Sequence, residues 1–342
     1  MAKRALKPSP ANEHIGLGGD TILYRSLIDP KRNNKRTGIS SPRMQRNFTL
    51  LLMGAPALLM IVVFAYLPMI GIIIAFKGYK DALGIFDSPW IGFQNFAFLF
   101  GTGEIWRITY NTIYMNVLFI VSGLIGAIFI ALLLNELRDH SRILIKVYQS
   151  ALFFPNFVSW VVVSYFVFAY LNADTGTLNH IFQGLGLHPI DWYSEPQYWP
   201  WILTIVSLWK GVGIGSVTYL ASIVSLNPEY FEAARLDGAG KLRQIWYITL
   251  PLLRPIIVIV LLLNIGNILH SDLGLFYQVT RNQAPLYSTT DVIETFVFRS
   301  LINLGNLGMT GAASLYQSLF GLVLVMTVNW IIRRINPDYA LF

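Results

Sequence analysis

Long uncharged apolar runs make up most of the chain, and polar residues are confined to the stretches between them. Four runs, at 48–76, 111–135, 147–173 and 310–332, are long enough for a helix to cross the ~30 Å hydrocarbon layer, which takes about 20 residues. A fifth run, 199–225, is equally long but carries Lys210. The sixth, 255–271, is shorter and rests on the segment P-I-I-V-I-V-L-L-L. None has the alternation of a barrel strand, and in lipid only helices or closed barrels satisfy every backbone group. The pattern predicts an all-α integral membrane protein with six transmembrane helices.

Composition agrees with this reading: 54% of residues are hydrophobic and 13% charged, against about 25% charged in soluble domains. Nineteen of the Lys and Arg residues fall before residue 48, after the second and fourth runs, and after the last. Five fall in the intervening loops. The positive-inside rule then places both termini in the cytoplasm, with the chain in the plasma membrane. The same bias accounts for the net charge of +7 without a nucleic-acid partner. The absence of cysteine excludes disulfides and thiolate metal sites. The first 47 residues are polar and the first apolar run is too long for a signal-peptide core, so no leader is expected. The division expected is a basic tail at 1–47, either flexible or lying on anionic headgroups, a first helix with an external segment at 48–110, a core at 111–334, and a short tail at 335–342. An external piece at 272–309 has room for a short helix around 292–301. No internal repeat is visible, which counts against a transporter built from inverted halves.

The loop at 227–251 is polar and basic, yet it joins two spans. Asn227 can cap a helix, Pro228 suits its first position, and Glu229 and Glu232 oppose the positive end of the dipole. Ala233 and Ala234 favour helix and leave a smooth face. Asp237-Gly238-Ala239-Gly240 then breaks it, and a second short helix is expected over 241–249, ended by Pro251. Such a helix-turn-helix either projects from the bilayer or lies on its surface. Gly238 to Lys241 superficially matches a phosphate loop, but Arg235 replaces the first glycine and Leu242 the hydroxyl residue that would hold Mg²⁺.

The run E-A-A-R-L-D-G-A-G-K-L-R-Q-I-W-Y-I-T-L-P, from Glu232 to Pro251, resembles the EAA loop of binding-protein-dependent ABC importer permeases. Glu232, Ala233 and Ala234, then Gly238, then Ile248-Thr249-Leu250-Pro251 stand where that motif has them. W-I-G-F-Q-N-F, W-K-G-V-G, L-N-I-G-N-I-L, D-V-I-E-T-F-V-F-R and the terminal D-Y-A-L-F extend the similarity to the LplB/YteP-like, polysaccharide-uptake branch. The resemblance implies a type I, MetI-like permease fold. It implies a second homologous permease, two ATP-binding subunits and an extracytoplasmic sugar-binding protein as partners. ATP and Mg²⁺ would belong to the ATPases, leaving this chain without a cofactor or enzymatic activity of its own. Glu232, Ala233, Ala234, Asp237, Gly238 and Ala239 would couple the permease to an ATPase. The motif leaves open a peptide or osmolyte cargo. An ion-driven carrier would call for intramembrane acids, and a membrane glycosyltransferase for clustered carboxylates or a metal; the runs supply neither.

Inside the spans, Asn264, Asn267 and His270 recur every third residue and share one helical face. They line either a sugar path or a hydrogen-bonded seam between helices. Lys210 either anchors substrate or pairs with Asp272 or Glu294 as a structural or gating charge. Gly211 with Gly215, and Ser122 with Gly126, form small-residue pairs suited to close helix packing.

Overall fold

The computed structural model describes residues 42–101, 103–303 and 305–335; the expectations for most of the basic tail and for 336–342 fall outside the described residues. The described residues are helical almost throughout, and their only β-pairings are isolated bridges. The chain divides into two compact units, one up to Phe64 and one from Ala65. The first contains α1 (Pro42–Ile61), whose apolar side chains from Leu50 to Ile61 are largely exposed, as suits a lipid-facing helix.

In the second unit a tight 3₁₀ stretch, Leu67–Phe76, packs on the last helix. The helix α2 (Glu104–His140) serves as the spine. Ile105 and Ile108 near its start belong to one buried cluster, Met115 to a second, and Ala127, Ala131 and Leu134 to a third. Its longest interface is with α5 (Trp199–Val224). Between them in sequence lie α3 (Arg142–Phe157) and α4 (Trp160–Leu171). These two are the expected third span, but they meet at a 95° bend. Pro155 cannot donate to the ladder, and Ser159 caps the new helix by accepting from the Val162 N–H at 3.4 Å. The six expected crossings are therefore five single apolar helices and one bent pair among the described residues.

The short helix α6 (Pro228–Leu236) follows α5, and α7 (Lys241–Gly266) comes next. Pro251 does not end a separate second helix as expected. A π-turn at Ile245–Thr249 widens the helix just before the proline, and the chain continues unbroken from the loop into the fifth span. The external piece forms α8 (Ile293–Ile302) close to the expected position, and α9 (Leu307–Ile335) is the last span. A half-buried bidentate pair holds α8 in place: Arg299 donates to buried Asp291 at 2.9 and 2.7 Å and lies over the Tyr287 ring.

On α5 the tightest glycine contact falls between the expected pair, while a Cβ at Gly215 would lie 3.4 Å from the Ala127 Cβ of α2. Gly211 opens onto space, whereas a Cβ at Gly213 would lie 2.1 Å from the Leu152 carbonyl oxygen of α3. Gly126 does bring α2 against α5, with Val212 3.1 Å from its would-be Cβ. Gly213→Val should cost about 1–3 kcal/mol through overpacking and lower the thermal midpoint in detergent. Gly211→Ala should hold or raise that midpoint, since alanine is the better helix former by about 1 kcal/mol; equal losses in both would refute the assignment of the contact to Gly213.

Candidate functional site

Three constellations in the second unit carry polar chemistry: the turn after α6, the bend between α3 and α4, and a cavity between α2, α5 and α7.

The turn after α6 is built by its sequence. Asn227 caps α6 by accepting from the Glu229 N–H at 3.1 Å, with Pro228 at the first position. At the other end Gly238 adopts φ +76°, which a side chain would resist. That turn lets the Ala239 N–H reach the Ala234 carbonyl at 2.8 Å and the Gly238 N–H reach Arg235 at 3.0 Å, the paired bonds of a Schellman motif. Buried Gln244 donates to the Ala239 carbonyl at 2.7 Å, which fastens the start of α7 to the turn. Lys241 pairs with Glu136 at the end of α2. Both are substantially exposed, so the pair positions the loop more than it stabilises the fold.

The six loop residues singled out in the sequence are distributed around α6. Ala233, Ala234 and Asp237 line a shallow cleft with Tyr247 and Pro251. Glu232 faces a separate charged cleft of about 230 Å³, shared with Glu136, Arg235 and Lys241. Gly238 and Ala239 form the turn itself. Asp237 stands at the helix C-terminus, against the dipole, a local conflict of the kind found at functional surfaces. Leu236 and Leu242, at 89% and 75% exposure, project apolar side chains beside the turn.

At the bend, Lys210 of α5 meets neither Asp272 nor Glu294 directly. Its ammonium donates to the carbonyls of Pro155, Asn156 and Val158 at 3.3, 2.9 and 2.5 Å. They lie at the C-terminal end of α3 and its cap, where the Pro155 carbonyl also accepts from the Val158 N–H at 3.2 Å and the Asn156 and Val158 carbonyls turn to the ammonium. The ammonium also sits 4.9 Å from the Trp160 ring centroid. Trp160 in turn donates its indole N–H to Asp272 at 2.7 Å. A Cβ on Gly274 would lie 2.1 Å from that indole, so glycine is required there. Glu294 pairs instead with His270, at 3.6 Å, and accepts from Gln317 at 2.7 Å. Burial pushes its carboxyl above the ordinary carboxylate range, opposed by those hydrogen bonds and by His270.

The cavity holds about 420 Å³ and brings Asn264, Asn267 and His270 together. They do so despite a shorter helix than expected. α7 ends at Gly266, and the next residues form i to i−3 bonds: Asn267 to Asn264, Ile268 to Ile265, His270 to Asn267. Side chains three apart eclipse in that tighter winding, so the stripe stays aligned past the helix end. Sequence reasoning missed Asn116 of α2 and Tyr219 of α5, which complete the polar lining. Asn116 follows Thr109 and Thr112 at helical spacing, a short signal that a hydrogen-bonded seam explains equally well, and tyrosine is ambiguous in a span. The Tyr219 hydroxyl is buried and without a hydrogen-bond partner.

A helical bundle with a polar, amide-lined cleft at its centre and an exposed, rigid loop at one end defines a multi-pass membrane transport protein. Residues 123–340 match the family of binding-protein-dependent transport system inner membrane components, and the chain belongs to that family. It is 32% identical over 295 residues to protein LplB of Bacillus subtilis, covering 86% of this chain and 92% of that one. It is 31% identical over 307 residues to the polygalacturonan/rhamnogalacturonan transport system permease protein YteP of the same organism, covering 90% and 94%. The crystal structure of a bacterial alginate ABC transporter in complex with an alginate pentasaccharide-bound periplasmic protein contains a chain that superposes with a TM-score of 0.76 at 31% identity, covering 86% of this chain and 96% of that one. The fold is thus that of a type I, MetI-like importer permease.

Lys210→Met should strand the carbonyls at the bend. At about 1–3 kcal/mol for each buried acceptor left unpaired, the complex should lose several degrees of thermal midpoint in detergent. Lys210→Arg should recover most of it, and a fully stable Met variant would show that the bend does not need the ammonium.

Proposed function

We propose that the chain is the membrane-spanning subunit of an ATP-driven importer that moves an oligosaccharide or polysaccharide inward, with both termini in the cytoplasm. A second homologous permease completes the pathway, two separate subunits hydrolyse ATP, and an extracytoplasmic binding protein delivers the sugar. The observation that carries this reading is α7, a continuous helix joining the 227–251 loop to the Asn264 end of the cavity. A push on the loop is delivered along that helix to the polar lining. The apolar tips Leu236 and Leu242 beside the Schellman turn make a compact knob for a cleft on the ATPase. Among the described residues Glu232 carries no ion pair, so its carboxylate is available to that partner. Amide and hydroxyl linings hydrogen-bond sugar hydroxyls, and the cargoes named for two relatives, polygalacturonan/rhamnogalacturonan and alginate, are polysaccharides.

Residues of the loop should separate hydrolysis from movement. Gly238→Val forces φ +76° on a branched side chain, and Glu232→Trp places bulk at the partner contact; each should lower uptake per ATP hydrolysed, leaving binding-protein affinity intact. Wild-type uptake in both variants would falsify the coupling role. The cavity gives an independent test. Asn264→Ala with Asn267→Ala should raise the half-saturating sugar concentration by about tenfold, the equivalent of one or two lost hydrogen bonds at about 1 kcal/mol each; unchanged transport kinetics would remove these residues from the path.

A further inference from the structure

The direction of the hydrogen bonds around the cavity is more informative than its polarity. Asn116 spends both amide hydrogens internally, on the Thr112 carbonyl at 2.9 Å and the Ser271 hydroxyl at 2.9 Å. Asn267 donates to the Leu263 carbonyl at 3.1 Å. A carbonyl can only accept, so these bonds fix which end of each amide faces inward. What both side chains then offer the cavity is chiefly the amide oxygen, an acceptor.

Charge follows the same logic. His270 is the one ionisable ring in the lining besides the phenol of Tyr219. Any positive charge it takes on is already matched by Glu294 at 3.6 Å. Lys210 lies on the same helix as the lining residues Ser207 and Gly211, but its ammonium is committed to the three carbonyls at the bend. The described wall therefore carries the Asn116 and Asn267 oxygens, the Asn264 amide, the Ser207, Thr218 and Tyr219 hydroxyls and one compensated imidazole, with no cation to spare.

We infer that this wall selects neutral polyhydroxylated sugar units and discriminates against units bearing a free carboxylate, unlike the acidic cargo named for the alginate transporter. The inference rests on the carbohydrate reading above. Sugar hydroxyls donate to the Asn116 and Asn267 oxygens and engage the Tyr219 hydroxyl. A carboxylate only accepts, gains nothing from those oxygens, finds only neutral donors in the wall, and would be desolvated without the Arg or Lys partner that such a group needs. Rejection by opposed acceptors and a missing countercharge is how a site discriminates without tighter binding to the preferred ligand.

The test uses the intact complex, isolated from native membranes through a tag on this chain, without added binding protein. Thermal stabilisation is titrated with an oligogalacturonate, its fully methyl-esterified form and a neutral galacto-oligosaccharide of equal length. The ester and the neutral sugar should stabilise the complex, and the free acid should need about tenfold more ligand, a difference of about 1.4 kcal/mol. Asn264→Lys should narrow or reverse that preference. A free acid that binds wild type as tightly as its ester overturns this inference and leaves the carbohydrate reading standing. Silence with every glycan overturns both.

Discussion

A helix that bends within an apolar span frees carbonyl groups from the helical ladder, and the whole arrangement depends on how that demand is met. In lipid each unsatisfied backbone group costs several kcal/mol. Here one lysine answers for three carbonyls at the α3–α4 bend. The cost of placing an ammonium within a span, about 2.5–3.5 kcal/mol on insertion scales, is offset by the acceptors it meets. Each group would be unfavourable alone, and together they form a junction tying α3, α4 and α5 to one point. Through the Trp160 indole the same junction reaches Asp272, where the chain emerges from the fifth span. The bend is thus a fixed corner.

The fold was largely legible in the sequence because its information lies in long apolar runs and in one loop whose capping residues are local. Asn227, Pro228 and Gly238 specify the start and end of α6 within a dozen residues, and the structure forms the bonds their types predict. What could not be read depends on contacts distant in sequence. The partners of Lys210 are backbone carbonyls more than fifty residues away, which have no side-chain signature. Gly211 and Gly215 matched a packing pattern, and Gly215 does lie against Ala127, but Gly213 makes the tightest crossing because the rotation of α5 is set by α2 and α3. Pro251 gave a stop signal that the π-turn before it absorbs.

The candidate site was half legible for a related reason. Asn264, Asn267 and His270 announced themselves by spacing, and they do face one cavity, although only the first lies within the helix. A three-residue period fits the helical face only loosely and the 3₁₀ winding well, so the pattern indicated a shared surface before it indicated the right helix. Asn116 and Tyr219 come from other spans and converge only through the packing of α2 and α5. Their contribution lies in which atom faces inward, a property that no composition or spacing encodes.

The unbroken course of α7 constrains how this chain can diverge. Each residue added to or removed from an α-helix turns everything beyond it by ~100° and shifts it by ~1.5 Å. Between the loop anchored at Gln244 and the amide of Asn264, a single insertion or deletion would swing the lining out of the cleft even with every side chain retained. Point substitutions there alter chemistry locally, but a change of length would throw the two ends out of phase, so this segment is expected to evolve by replacement at constant length.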